Sequence, residues 1–163
     1  MGDEKRIVII GGHGKVALLA APKLRQAGYT VDSIIRNPGQ ADAVRAAGAN
    51  PVVLDIESAG VEALAEAFDG AHAIVFSAGA GGGNPQRTHA VDYEAAVRAM
   101  QAAEQAGVQR FVMVSYAGAD RDVHRLDPSD PFYPYAKAKH DADAKLRESA
   151  LDILLEAGAA RVG

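Results

Sequence analysis

A short glycine-rich stretch near the start of the chain has the residue types and spacing of a phosphate-binding loop. It reads Gly11-Gly12-His13-Gly14-Lys15-Val16 and lies between an apolar run and a helical pattern. Glycines let a backbone turn tightly beside a pyrophosphate, and a helix N-terminus offers free N–H groups and a positive dipole end. We therefore predict that this stretch binds dinucleotide phosphates, with His13 beside a phosphate. The alternative is a turn that only packs helix on strand.

The end of the second apolar run suggests which dinucleotide is bound. Sites for NAD usually place an acid on the ribose 2′-hydroxyl about 20 residues past the glycines. Here that place reads Ile35-Arg36-Asn37-Pro38, with no acid. Arginine offers a planar, permanently charged fork that fits a 2′-phosphate. We expect Arg36 to favour NADP, with NAD as the second option; the alternative is an arginine solvated at the surface.

Alternating elements along the chain must position these residues. Apolar, β-branched runs at residues 6–10, 30–35, 51–55, 73–77 and 110–115 alternate with helical patterns at 15–27, 40–47, 58–68, 87–106 and 131–149. Strands that are apolar on both faces are typical of a parallel sheet covered by helices on both sides. With right-handed crossovers, the pattern predicts a Rossmann-like, doubly wound α/β sheet forming a single domain over residues 1–163.

Composition narrows the function classes. The 163 residues include 17 basic and 21 acidic side chains, for a net charge of −4, and no cysteine. The acidic balance argues against nucleic-acid binding, and no apolar run reaches the roughly 18 residues that a membrane span needs. The lack of cysteines and of a signal-peptide pattern fits a cytoplasmic protein. We expect no bound metal at His89, His124 or His140.

Further segments follow the order of a known family. They are Ile9 to Ala17, Arg36-Asn37-Pro38, Val53-Leu54-Asp55, Ser77-Ala78-Gly79-Ala80, Val91-Asp92-Tyr93, Arg110 to Ser115, and Pro134-Tyr135-Ala136-Lys137-Ala138-Lys139. In this order the chain resembles the atypical short-chain dehydrogenase/reductase family, in particular its small NAD(P)-binding, NmrA-like members. The resemblance implies that Asp55 and Ile56 line the adenine, and that Ser77, Ala78, Gly79 and Ala80 lie along the ribose and pyrophosphate. Asp55 could also cap a helix.

The resemblance also implies a catalytic set. In the wider family a tyrosine exchanges the hydroxyl proton, a lysine lowers its pKa and holds the ribose, and a serine orients the carbonyl. Here these are Tyr135, Lys139 and Ser115, and the i, i+4 spacing puts the tyrosine and lysine on one helical face. Tyr116 and Tyr133 are alternatives to Tyr135. The polar segment at residues 119–130 is where a substrate lid would lie.

The C-terminal end departs from the family pattern. Relatives have a sixth strand ending in an Arg-Pro-Gly-like turn, followed by a segment that closes the substrate pocket. This sequence has no such turn after Leu151-Asp152 and ends at Gly163. We expect a shortened sixth strand and a truncated substrate-binding part, which would affect the substrate half more than the cofactor half.

Three functions remain open at this point. The first is an NADPH-dependent oxidoreductase, or an epimerase-like relative, acting on a small-molecule carbonyl substrate. The second is a non-catalytic sensor that binds NADP(H) and signals to a regulatory protein partner, and the third is a flavin or quinone reductase. A homodimer is compatible with each; neither nucleic acid nor a membrane is expected as a partner.

Overall fold

A computed structural model of the chain describes residues 5–79, 84–115, 119, 121–149 and 151–157. Its strands are β1 (Arg6–Ile10), β2 (Thr30–Ile35), β3 (Asn50–Val53), β4 (Ala73–Phe76), β5 (Arg110–Ser115) and β6 (Asp152–Ala157). They form one parallel sheet in the order β3-β2-β1-β4-β5-β6. The chain builds outward from β1 to β3, crosses back to β4, and builds outward again to β6. This order confirms the predicted Rossmann-like sheet.

Helices cover both faces of the sheet. They are α1 (Lys15–Gln26), α2 (Ala41–Ala46), α3 (Val61–Phe68), α4 (Pro85–Thr88), α5 (Ala96–Gln105), α6 (Asp122–Arg125) and α7 (Tyr133–Glu148). A 3₁₀ turn, Pro38–Gln40, precedes α2, and a π-helical stretch, His89–Ala95, joins α4 to α5. Within the described residues, no helix is both long and apolar enough to cross a membrane.

Alternate side chains of the central strand enter two separate cores. Val8 and Ile10 belong to the larger cluster, which includes buried residues of α3, α5 and α7. Ile7 and Ile9 belong to the smaller cluster with buried residues of α1 and α2. Successive residues of a strand point to opposite faces, so an unbroken apolar run fits a strand between two helical layers.

The sixth strand pairs with β5 over six residues, from Arg110 opposite Asp152 to Ser115 opposite Ala157. It therefore matches β5 in length, and the expectation that it is shorter than the sixth strand of the family stays a prediction. The pairing completes the β5 side of the sheet, where the predicted catalytic residues lie.

Candidate functional site

The glycine loop joins the end of β1 to the start of α1. The backbone N–H groups of Gly11 and Gly12 both donate to the carbonyl oxygen of Ile34, at 3.1 and 2.9 Å, and Gly14 N donates to Gly11 O at 3.0 Å. These bonds tie the loop to β2 and leave the first turn of α1 facing outward. The N–H groups of Lys15 and Val16 in that turn have no acceptor within the helix, which suits a phosphate.

Two glycines of this loop have no room for a side chain. Gly11 has a φ of +82°, and a Cβ there would lie 2.6 Å from Ala78 Cα. A Cβ at Gly12 would lie 2.3 Å from Ser33 Cβ. Gly14, by contrast, has a φ of −65°, which any residue can adopt. Backbone conformation therefore does not explain why position 14 is a glycine. The left-handed position is Gly11.

A cleft of about 330 Å³ opens above the loop, along the carboxyl ends of the inner strands. Of the predicted cofactor-binding residues, those that line it are Gly11, Gly12, His13, Gly14, Arg36, Asp55, Ile56, Ser77, Ala78 and Gly79. Lys15 and Val16 are not part of the lining but form the first turn of α1. Ala80 lies outside the described residues. The cleft is of the size range of small-ligand and cofactor pockets.

Asp55 shapes the turn after β3 and does not cap a helix. Its Oδ1 accepts a hydrogen bond from Glu57 N at 3.0 Å, whereas α3 begins at Val61 with Gly60 as its N-cap. Arg98, in α5, stabilises the same turn by donating from Nη2 to the carbonyl oxygen of Ile56 at 2.7 Å. The turn therefore presents Asp55 and Ile56 to the cleft in a fixed position.

Three charged side chains meet at one end of the cleft. Glu57 Oε1 lies 2.7 Å from Nη2 and 3.0 Å from Nε of Arg87, and 3.6 Å from Nη1 of Arg36. Sequence analysis missed Glu57 and Arg87 as lining residues. An Asn84-Pro85 pair was the available signal for an earlier helix start that would place Arg87 in its first turn. The pairing with Glu57, 30 positions away, has no local signal.

The predicted catalytic residues lie outside the cleft lining, beside β5. Ser115, the last residue of β5, donates from Oγ to Asp143 Oδ2 at 2.8 Å, and both residues are buried. Lys139 is 1% exposed; its Nζ lies 3.6 Å from Met113 Sδ and 5.7 Å from the centre of the Phe76 ring. The fold thus brings the predicted serine and lysine close to a buried carboxylate that sequence analysis did not single out.

The pKa of Tyr135 shifts in the direction opposite to that expected. Burial raises it to about 12, and the negative charges of Asp92 and Asp143 add to the increase. Burial also lowers the pKa of the Lys139 ammonium, although the same two carboxylates oppose that change. Burial and the two carboxylates therefore dominate the pKa of Tyr135 in this structure, and a lowering of that pKa by Lys139 stays a prediction.

A pH dependence of stability should follow from Asp143. Burial raises the pKa of its carboxyl above the ordinary 3.8, against the hydrogen bond from Ser115 and the charge of Lys139. As the pH rises above 3.8, the unfolded chain releases this proton before the folded one, so the free energy of unfolding should fall. Asp143→Asn should flatten that part of the profile in urea titrations at several pH values. An unchanged slope would contradict the assignment.

Two of the histidines lie near the predicted lid segment. The rings of His124, in α6, and His140, in α7, are 5.4 Å apart at their centres, and His140 Nδ1 lies 3.1 Å from the carbonyl oxygen of Ala119. Among the described residues, no group of three or more histidine, aspartate or glutamate side chains is placed to hold a metal ion. These histidines join the segment to α7.

Fold and cleft together define a dinucleotide-binding α/β domain. The model of an NAD(P)H-binding family matches residues 11–155. The chain belongs to this family, and its fold is that of the short-chain dehydrogenase/reductase and NAD-dependent epimerase/dehydratase superfamily. The resemblance recognised in the sequence is thereby confirmed.

Similar proteins are longer than this chain. It is 37% identical over 132 residues to a UPF0659 protein of Schizosaccharomyces pombe, covering 79% of this chain but 52% of that protein. It is 32% identical to the uncharacterized sugar epimerase YhfK of Bacillus subtilis, covering 90% of this chain and 67% of the relative. A solved structure from Bacillus halodurans, described as an NAD-dependent epimerase/dehydratase, is 31% identical with a TM-score of 0.83, covering 93% of this chain and 68% of that one.

Proposed function

We propose that this chain is the cofactor-binding part of an NADPH-dependent oxidoreductase that reduces a small carbonyl substrate. The observation that carries the proposal is the cleft above the Gly11–Gly14 loop, with Arg36 on its wall. A side chain at Gly11 or Gly12 would clash with Ala78 or Ser33, so these glycines let the loop pack against the neighbouring strands beneath the cleft. Residues and shape fit a dinucleotide, with its pyrophosphate at the N-terminus of α1.

Arg36 supports the choice of NADPH. It stands directly after β2, lines the cleft, and keeps 57% of its side chain exposed. A charge-assisted hydrogen bond to a phosphate contributes about 1.5–3 kcal/mol when solvent is partly excluded. Because Arg36 is more than half exposed, we expect the lower end of that range, about tenfold in affinity.

The first experiment measures cofactor choice directly. By titration calorimetry, the unmodified chain should bind NADPH about tenfold more tightly than NADH. Arg36→Asp should reverse this order, because a carboxylate repels a 2′-phosphate and accepts a hydrogen bond from a ribose 2′-hydroxyl. Equal affinities of the unmodified chain for the two cofactors would rule out the NADPH preference.

The catalytic part of the proposal rests on three residues. The bound dinucleotide would supply a hydride to the carbonyl carbon. Tyr135 would donate its phenolic proton to the carbonyl oxygen, Ser115 would orient that oxygen, and Lys139 would hold the ribose. At neutral pH a phenol with a pKa of about 12 carries its proton, so Tyr135 is ready to act as an acid.

A non-catalytic NADP(H) sensor is the second candidate. It is favoured by the engagement of Ser115 with Asp143 and by the burial of Lys139 against Met113 and Phe76. Consumption of NADPH with a panel of aldehydes, ketones, quinones and flavins separates the candidates. Turnover of aldehydes or ketones supports the carbonyl reductase, and turnover of quinones or flavins alone supports direct hydride transfer. Tight NADPH binding with no turnover supports the sensor.

A further inference from the structure

The three charged groups at one end of the cleft are held by three different parts of the fold. Arg36 follows β2, Glu57 belongs to the turn after β3, and Arg87 lies in the first turn of α4. All three line the cleft. Two arginines and one glutamate give this end of the cleft a net charge of +1.

The two arginines do not hold the glutamate equally. Arg87 donates to Glu57 Oε1 from both Nε, at 3.0 Å, and Nη2, at 2.7 Å. Arg36 approaches the same oxygen only to 3.6 Å, beyond ordinary hydrogen-bond length. Glu57 is therefore hydrogen-bonded by Arg87, whereas Arg36 forms only a longer ion pair with it.

Local structure fixes both partners of the short pair. Asn84 Oδ1 accepts hydrogen bonds from Gln86 N and Arg87 N, at 3.0 and 3.2 Å, so the start of α4 is capped. On the other side, Arg98 Nη2 donates to the carbonyl oxygens of Ile56 and Glu57, at 2.7 and 3.2 Å. Hydrogen bonds therefore hold both the turn that carries Glu57 and the helix start that carries Arg87.

We propose that Arg87 is a specificity-determining residue that gives this site its preference for a 2′-phosphorylated dinucleotide by binding Glu57. The inference rests on the proposed function and extends it to a residue on another element. A phosphate monoester carries about −1.5 to −2 charges near neutral pH. Without Arg87, the Glu57 carboxylate would repel the phosphate. It would also compete with the phosphate for the Arg36 guanidinium. With Arg87 in place, the charge of Glu57 is offset and its contact with Arg36 stays at 3.6 Å, beyond hydrogen-bond length.

Three variants test this coupling, each titrated with NADPH and with NADH by calorimetry. Arg87→Gln should weaken NADPH binding about tenfold and change NADH binding less than about twofold. Glu57→Gln should strengthen NADPH binding, because both arginines then face the phosphate. In the double variant Arg87→Gln/Glu57→Gln, NADPH affinity should return to within about threefold of that of the unmodified chain, since no carboxylate remains to compete for Arg36.

Arg45→Gln provides the matched control for loss of one positive charge. Arg45 forms an exposed ion pair with Asp42, at 3.2 Å, and does not line the cleft. Its replacement should leave the NADPH to NADH ratio unchanged, and thermal unfolding checks that each variant is folded. Arg87→Lys, which keeps the charge, should retain most of the preference.

Other results would overturn the inference. If Arg87→Gln lowered NADPH and NADH affinity equally, Arg87 would be a general cofactor contact. If the double variant stayed as weak as Arg87→Gln, Arg87 would act on the phosphate directly and not through Glu57. If the unmodified chain bound neither cofactor, the proposed function itself would fail, which is distinguishable from failure of the coupling.

Discussion

Replacing Tyr135 by phenylalanine is expected to lower NADPH-dependent carbonyl reduction about 10²–10⁴-fold, with NADPH affinity nearly unchanged. The substitution removes only the hydroxyl group, so the ring can keep its packing beside Phe132, whose ring centre lies 5.3 Å away. What is lost is the proton for the oxygen that gains negative charge as the hydride arrives. The measurement is steady-state NADPH oxidation with the best aldehyde or ketone of the panel.

Tyr133→Phe is the matched control. Tyr133 begins α7, two positions before Tyr135 and on a different side of the helix. Its hydroxyl should be dispensable if Tyr135 is the acid. Loss of activity in Tyr133→Phe alone would transfer the role to Tyr133; the third candidate, Tyr116, lies outside the described residues. Full activity of Tyr135→Phe on quinones or flavins would favour direct hydride transfer, with the tyrosine as part of the wall.

The pH profile gives a second readout for the same residue. The raised pKa of Tyr135, about 12, keeps the phenol protonated across the neutral and moderately alkaline range. Reduction should therefore not decline through loss of this proton until the pH nears that value, whereas oxidation, which needs the phenolate, should gain rate as the pH rises. A bound cofactor that brings Lys139 closer would shift both limbs to lower pH.

The sequence was sufficient to predict the sheet because most of its strands contain nearly continuous apolar runs. In β1, Ile7 and Ile9 face one core and Val8 and Ile10 the other, and this two-sided burial is directly visible as an unbroken apolar run. The conformation of the long helical segment before β5 was harder to predict. Its period does not distinguish the π-helical stretch His89–Ala95 from regular α-helix, because one extra residue in a turn barely changes the apolar pattern.

The cofactor half of the site was predictable and the electrostatics were not. Gly11, Gly12 and Arg36 carry local signals, since a strand end followed by glycines or by arginine has a fixed place in this fold. The bond from Ser115 to Asp143 and that from Arg87 to Glu57 join elements 28 and 30 positions apart. Such pairs depend on how the helices pack against the sheet, which no local sequence pattern predicts. The same packing buries Tyr135 and so raises its pKa.

The glycine loop offers the other large effect: Gly14→Val should abolish dinucleotide binding, lowering affinity at least about a hundredfold, while the fold persists. Gly14 lines the cleft, its φ of −65° suits any residue, and a Cβ there would lie 3.3 Å from Gly11 O and 3.7 Å from Ser77 O. Gly11 O must therefore move by a few tenths of an ångström, and the two methyl groups of valine would enter the space over the start of α1 that a pyrophosphate needs.

Gly12→Ala should act mainly on the fold, because its side chain would meet Ser33 of β2. Its Cβ would lie 2.3 Å from that of Ser33, which is 1% exposed, so the free energy of unfolding should drop by about 1–3 kcal/mol. Gly60→Ala, with nothing within 4 Å of the added Cβ, should change neither property. Urea unfolding and NADPH titration of all three variants give the comparison. If Gly14→Val bound NADPH with unmodified affinity, the phosphates would have to lie away from the N-terminus of α1, and the placement of the cofactor would be wrong.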